Sequence, residues 1–283
     1  MKKAVLYKWW GIYFAIALVC RLAFGECPAA FFAFPVNAAL LFAGMAGVWV
    51  LHKEKPQSLP FKILSSPDTT FLLLGITFVT CVVMGFELSP STASWWLVMT
   101  LVAMLLHLSA VVFRGLAVKR RHKLRFALIH VGLLVALGTG LAGSADTREW
   151  RMLAVVGEPV QQAFDARGGR ASLDEPLVLQ AFDVDYYPDG TPQNYTAKVT
   201  IGGREAILKV NHPHGLSWSK DLYLADYEHV PAGMQPRYCV LQLVEEPWKW
   251  FMWIGIWMMI AGSLLLFVQG VPALQKKGGD ATV

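Results

Sequence analysis

The sequence predicts a polytopic α-helical membrane protein with about six transmembrane helices and an extracytoplasmic antiparallel β-rich domain. Of its 283 residues, 55% are hydrophobic and only 16% are charged, whereas soluble domains carry roughly 25% charged residues. Six apolar runs are present, and a long polar segment with turn signals separates the fifth run from the sixth. These observations favour a lipid-facing chain over one large soluble core.

Each apolar run is long enough to cross a bilayer, which takes about 17–25 residues. The runs occupy residues 9–25, 30–51, 70–86, 94–113, 126–143 and 248–268. The first has a basic start, as a signal peptide does, but no small-residue cleavage site follows it before the second run. We therefore expect a retained first helix.

Basic residues gather in every second link between the runs. They are Lys2, Lys3, Lys8, His52, Lys53, Lys55, Lys62, Arg114, Lys119, Arg120, Arg121, Lys123, Arg125, Lys276 and Lys277. The alternate links, near residues 26–29 and 87–93, are nearly free of Lys and Arg. Because basic residues concentrate in cytoplasmic loops, both termini are predicted to be cytoplasmic and the long polar segment extracytoplasmic.

The long polar segment carries the signals of β structure. Apolar and polar side chains alternate on both sides of Gly202-Gly203, which predicts a hairpin with a two-residue turn. Another strand is predicted over 178–187, before the Asp189-Gly190 turn, and a last strand over 238–244. The predicted organisation is a two-helix membrane segment (1–55), three transmembrane helices (56–143), the β domain (144–247) and a final transmembrane helix with a cytoplasmic tail (248–283).

The sequence lacks the motifs of several classes of functional site. The net charge of +5 does not indicate nucleic-acid binding, because the basic residues lie beside apolar spans and no basic stretch alternates with aromatics. The four cysteines form no C-x-x-C pair, so covalent c-type haem attachment and zinc-ribbon sites lack their motif. Cys27 and Cys239 are expected on the oxidising side, and a disulfide between them stays open. No residue is predicted to be catalytic.

Two histidines lie inside apolar runs, where ionisable residues are costly and usually functional. His130 follows Arg125 by five residues and His107 precedes Arg114 by seven, which places both in the cytoplasmic half of the bilayer. A neutral imidazole there either hydrogen-bonds a neighbouring helix or ligates a metal such as haem iron. A single histidine in a membrane helix favours the hydrogen-bonding role. Two histidines at similar depth make haem binding a stronger hypothesis.

The fifth run also carries a stripe of small residues, Gly132, Ala136, Gly140 and Gly143, at which another helix can pack closely. His130 lies about 200° around the helix from Gly132. We therefore expect the stripe to pack within this chain and the histidine face to meet a ligand or a second subunit.

Taken in order, these features resemble the ResB (CcsB) family, over a stretch from about Ser65 to Gly270. The resemblance includes Ser94-Trp95-Trp96 at a span entrance, and the basic link followed by His130 and Gly132. It continues through the outer domain in Phe182, Tyr186, Asp189-Gly190, Tyr195, Val210-Asn211-His212-Pro213, Gly215, Tyr223 and Tyr227.

The resemblance implies a subunit of the system II cytochrome c synthase in a bacterial cytoplasmic membrane. Such a subunit helps to carry haem across the membrane and to deliver it to the C-x-x-C-H motif of apocytochrome c. It works with a CcsA/ResC-like membrane subunit and is not active alone. His130 is then an axial ligand to the iron of transported haem b, and a histidine of the partner supplies the other ligand. The first two spans are extra to the family pattern.

Two other functions stay open on the sequence. One is a b-type cytochrome membrane anchor, in which His107 and His130 both ligate one haem for quinone-linked electron transfer. The other is a structural scaffold that binds a partner but no haem. Besides haem and its protein partners, membrane lipid is an expected contact of this chain.

Overall fold

The computed structural model describes residues 3–86, 94–119, 121–230 and 234–269. Within these ranges the helices are α1 Lys3–Phe24, α2 Val36–Glu54, α3 Leu59–Leu64, α4 Pro67–Gly85, α5 Trp95–Ala117, α6 Lys123–Asp146 and α7 Lys249–Gln269, with a short 3-10 turn at Ala29–Phe32. The link 87–93 and the residues Lys2, Arg120, Lys276 and Lys277, used above for orientation, lie outside the described residues.

Six of the described helices are long and apolar enough to cross a membrane, namely α1, α2, α4, α5, α6 and α7. They correspond one to one with the six apolar runs, and the chain is a membrane protein. The short α3 was not predicted, because its six residues fall within the basic link that precedes α4.

The chain divides into two compact units. One comprises Asp146–Lys249, and the other contains the remaining described residues, including all six long helices. The described part of the first unit holds one eight-stranded antiparallel sheet. The predicted fold class, membrane helices with an antiparallel β-rich domain, is therefore confirmed.

In the sheet the strands follow the order β5-β4-β3-β2-β1-β8-β7-β6. Their bounds are β1 Arg148–Val155, β2 Pro159–Phe164, β3 Arg170–Tyr186, β4 Pro192–Ile201, β5 Arg204–Lys209, β6 His214–Gly215, β7 Lys220–Tyr227 and β8 Tyr238–Glu245. The first and last strands are neighbours, and Arg148 pairs with Glu245 at their shared end. Thus the chain enters and leaves the sheet side by side, between α6 and α7 in sequence.

Local sequence explains the predicted turns of the sheet. Gly202 and Gly203 have φ of 55° and 76°, the conformation that a two-residue hairpin of type I′ needs and that glycine adopts without a steric penalty. Ile201 then pairs with Arg204, which confirms the predicted hairpin. At the other turn, Asp189 accepts hydrogen bonds from the backbone and hydroxyl of Thr191 at 2.9 and 2.6 Å.

The first two helices pack against the rest of the helical unit. On α1, Leu6, Trp10 and Phe14 join a buried cluster with residues of α3, α4 and α5, and the Trp10 indole donates to Thr69 Oγ1 at 3.1 Å. On α2, the amide of Asn37 donates to the backbone oxygen of Ala142 on α6 at 2.9 Å. These contacts make α1 and α2 integral parts of the helical unit.

Candidate functional site

One face of α6 approaches α7 through glycine. A Cβ added at Gly132 would lie 2.7 Å from the backbone oxygen of Gly255, and one at Gly255 would lie 2.6 Å from Gly132 O and Ala136 N. Gly140 is looser, with Met252 Sδ at 4.0 Å from its added Cβ. The predicted small-residue stripe is therefore confirmed as a helix-packing surface, and its partner is α7.

The opposite side of α6 packs against α5. Leu134 is buried in a cluster with Leu105, Leu108 and Val112 of α5. The ring of Phe126, two turns earlier on α6, fills the space beside Gly115 of α5, where an added Cβ would overlap the ring at 2.0 Å.

His130 lies between these two anchor points on α6. Because Phe126 precedes it by four residues and Leu134 follows it by four, all three lie on one side of the helix. Phe126 and Leu134 pack against α5, and His130 is half-buried at the edge of this packing. That the His130 face meets a ligand or a second subunit stays a prediction.

The ring of His130 is held in a defined orientation. It stacks on Phe126 with ring centroids 4.1 Å apart and an interplanar angle of 26°. Its Nδ1 lies 3.0 Å from the backbone oxygen of Phe126, and a carbonyl only accepts, so Nδ1 carries the proton. In this neutral tautomer Nε2 bears the lone pair, which is the form in which imidazole ligates a metal. A backbone carbonyl on the other nitrogen is also the usual way in which ligating histidines are oriented.

His107 has different surroundings. Only 7% of its surface is exposed, and both ring nitrogens are engaged within the chain. Nδ1 contacts the backbone oxygen of Leu64, and Nε2 lies 2.9 Å from Thr70 Oγ1. Because the carbonyl accepts from Nδ1, the Thr70 hydroxyl must donate to Nε2.

These contacts tie α5 to the end of α3 and the start of α4. Arg114, two turns further along α5, adds hydrogen bonds to the backbone oxygen and hydroxyl of Ser65 at 3.3 and 3.5 Å. This arrangement matches the helix-bridging role for His107. Iron ligation by the same ring would require the bond to Thr70 to break.

A histidine that ligates haem iron does so through a neutral imidazole nitrogen, and the tautomer of His130 fits this requirement for one axial ligand. In the described part of the chain, no group of three or more His, Cys, Asp or Glu side chains has the geometry of a metal site. The structure does not bring His107 and His130 into one such group. Phe126 and Gly115, which position His130, were missed in the sequence because their contact joins two helices.

In the β domain, aromatic residues quoted for the family resemblance converge on one cluster. Tyr227 stacks between Phe182 and His229, with ring centroids 5.2 and 4.8 Å away, and Tyr195 lies 4.9 Å from it. Burial raises the pKa of Tyr227, with smaller contributions from Tyr186 and other neighbours. Phe182 and Tyr227 belong to the main core of the sheet, whereas His229 is exposed. These family-like residues therefore hold three strands together.

Other resemblance residues also have local structural reasons. Asn211 adopts φ of 59° in the tight turn after β5, where His212 N bonds to Lys209 O at 3.1 Å. Asparagine tolerates this left-handed conformation better than most residues.

The cysteines are free. Cys27 and Cys239 are buried, Cys81 is exposed and Cys20 is half-buried. Burial raises the pKa of Cys239 to about 12, because the thiolate would be desolvated inside the sheet core.

Comparison with known proteins gives a family match and matches among solved structures. Residues 120–235 match the model of the ResB-like family, which confirms the family resemblance. The match is shorter than the predicted stretch from Ser65 to Gly270, but it includes His130 and most of the β domain. A comparison with curated proteins returns no match.

The solved structures that match include "Cytochrome c Heme Lyase CcmF", at 12% sequence identity and a TM-score of 0.37. The alignment covers 81% of this chain and 44% of CcmF, so the chain spans less than half of that protein's length.

Proposed function

We propose that this ResB-like chain is a haem-delivery subunit of a system II cytochrome c synthase. In this function it helps to carry haem across the cytoplasmic membrane and to deliver it to the C-x-x-C-H motif of apocytochrome c. The observation that carries the proposal is the family match over residues 120–235. This stretch contains both the helix with an oriented histidine and most of the β domain that follows it.

His130 serves as one axial ligand to the iron of the transported haem b. Its Nδ1 bond to Phe126 O selects the ligating tautomer, and stacking on Phe126 limits rotation of the ring. His130 is seven residues into α6, about 10 Å along the axis. With the basic link Arg121–Arg125 on the cytoplasmic side, this depth suits haem arriving from the cytoplasm.

A CcsA/ResC-like membrane subunit supplies the second axial ligand and the attachment site for apocytochrome c. The complex, rather than this chain alone, is then the haem lyase. The extracytoplasmic β domain acts in positioning haem or apocytochrome against the partner.

The electron-transfer anchor is less well supported. It requires His107 and His130 to ligate one haem together, but both nitrogens of His107 are already engaged by Leu64 and Thr70. The geometry of His107 favours a bridge between helices.

The test is the haem content of the purified chain, alone and coexpressed with a CcsA-type partner, measured by absorption spectroscopy. We expect haem chiefly in the complex, and at least a tenfold loss in His130→Ala when one axial bond is removed, since tenfold corresponds to only ~1.4 kcal/mol. His122→Ala, on the neighbouring basic link, is the matched control and should retain haem.

Imidazole rescue separates ligation from structure. In His130→Gly, added imidazole should restore haem and its absorption bands, because the small molecule replaces only the ligand. Normal haem content in His130→Ala would refute the ligand assignment. Haem in the isolated chain that depends equally on His107 and His130 would instead support the electron-transfer anchor.

A further inference from the structure

A groove on the helical unit has apolar walls and one basic side chain. It has a volume of about 680 Å³ and lies between α1, α4 and the start of α5. On α4 the lining runs from Phe71 to Met84, a rise of about 20 Å along the helix. The remaining walls include Leu18, Trp96 and Leu97. The groove therefore follows α4 over most of its length.

The basic side chain is Arg21, at one end of the groove. It lies in the last turn of α1, and helix-to-helix contacts show which end this is. The indole of Trp96, at the start of α5, donates to Thr80 in the second half of α4 at 3.0 Å, and a β-bridge joins Glu26 to Ser94. The end of α1 thus lies beside the end of α4 and the start of α5.

Arg21 is half-buried. Among the residues that the structure describes, its guanidinium makes no hydrogen bond or ion pair. A guanidinium beside an apolar membrane surface is costly unless it meets water or an anion. It also lies at the end of α1 opposite Lys3 and Lys8, so the positive-inside pattern does not account for it.

We propose that this groove binds an anionic phospholipid, with its phosphate at Arg21 and one acyl chain along α4. Charge complementarity favours a headgroup with net negative charge, since a guanidinium pairs with phosphate through two parallel hydrogen bonds and an anionic headgroup carries no cation that would be repelled. Length identifies the tail: the hydrocarbon core is about 30 Å thick, so a groove of about 20 Å accommodates a chain that crosses one leaflet. The proposal is independent of the haem function.

The composition of the walls distinguishes a lipid from haem. Among the described residues that line the groove there is neither histidine nor cysteine, and Met84 carries the only sulfur of that set. Haem would find a propionate partner in Arg21 but no imidazole or thiolate for its iron. A hydrocarbon chain needs only the apolar walls.

The alternative without a bound lipid is that Arg21 extends to the aqueous interface and interacts with the C-terminal end of the α1 dipole. This alternative predicts that the chain binds anionic and zwitterionic lipids equally well. It also predicts that a larger side chain placed in the groove leaves lipid binding unchanged.

The experiment is native mass spectrometry of the delipidated full chain, titrated with phosphatidylglycerol or with phosphatidylcholine of the same acyl chains. Arg21→Gln removes the headgroup contact, and Lys8→Gln, an exposed position on the same helix, is its control. Gly75→Leu fills the groove, because Gly75 lines it and an added Cβ there meets nothing within 4 Å. Gly47→Leu, equally open but on α2, is the second control.

For the wild type we expect phosphatidylglycerol to bind about tenfold more tightly than phosphatidylcholine, because the choline cation of phosphatidylcholine offsets the phosphate charge that pairs with the guanidinium. Arg21→Gln should abolish this preference, Gly75→Leu should weaken binding of both lipids, and both controls should match the wild type. If Arg21→Gln does not fold, Gly75→Leu still tests occupancy of the groove.

The proposal is overturned if the wild type shows no headgroup preference, or if Lys8→Gln loses it as fully as Arg21→Gln. It is also overturned if haemin binds in place of lipid and is lost in both Arg21→Gln and Gly75→Leu. That last result would assign the groove to haem.

Discussion

The contact between α6 and α7 at Gly132 and Gly255 predicts a steep penalty for a single methyl group. In Gly255→Ala the new Cβ would lie 2.6 Å from Gly132 O and from Ala136 N. Both are backbone atoms, so no side-chain rotation relieves the overlap. The helices must separate by roughly 1 Å to reach ordinary contact distances of about 3.5 Å.

That separation would weaken packing along the whole helix pair, because dispersion contacts lose a quarter to a half of their energy over a gap of about 0.5–1 Å. Overpacking of this kind costs about 1–3 kcal/mol. In membranes the loss is not offset by hydrophobic association, since lipid is as apolar as the helix surface. We therefore expect Gly255→Ala to destabilise the chain by about 1–3 kcal/mol.

The assay is thermal or SDS-induced unfolding of the detergent-purified chain, followed by size-exclusion of the folded fraction. Gly140→Ala is the matched control, because its added Cβ would find Met252 Sδ at an ordinary 4.0 Å. It should be neutral or slightly stabilising, as alanine suits a helix better than glycine. Equal stability of the Gly255→Ala and Gly140→Ala variants would refute the close α6–α7 contact.

Three further predictions concern single sites. Gly115→Leu should displace the ring of Phe126, and so lower the haem content of the synthase complex through the orientation of His130; an unchanged absorption spectrum would contradict this. His107→Leu should cost about 1–3 kcal/mol for each partner left unsatisfied, with the haem-to-protein ratio of the folded fraction unchanged in absorption spectra. In the folded chain the pKa of Cys239 is raised to about 12 from 9.0. The stability that the buried, protonated thiol contributes is therefore fully present below pH 9 and is lost as pH rises toward 12. The free energy of unfolding, measured against pH, should show this loss in the wild type and not in Cys239→Ala.

The membrane helices were predictable because the bilayer imposes a length and a composition on any segment that crosses it. Gly202-Gly203 was equally informative, since two consecutive positive φ angles require residues without a Cβ penalty. The stripe at Gly132 predicted a packing surface but not its partner. In each of these cases the physical constraint acts within a few residues of the chain.

The parts that were not predicted depend on contacts between distant residues. The pairing of β1 with β8 joins Arg148 to Glu245, and nothing in either strand alone specifies the other. The Phe126–Gly115 contact likewise joins two helices. The proximity of this part of α6 to α5 therefore had to come from the structure.

The two membrane histidines illustrate why depth alone does not assign a role. Both rings donate from Nδ1 to a backbone carbonyl, but the carbonyls belong to different parts of the fold. His107 bonds to Leu64 of another helix and accepts from Thr70 of a third. Its ring therefore joins helices, and a ligand binds it only by displacing one of these hydrogen bonds. His130 bonds four residues back along its own helix and stacks on Phe126 there, so these two contacts orient its ring from within α6. Since an axial ligand must keep its ring oriented while haem arrives and leaves, a ring oriented by Phe126 of the same helix suits that role.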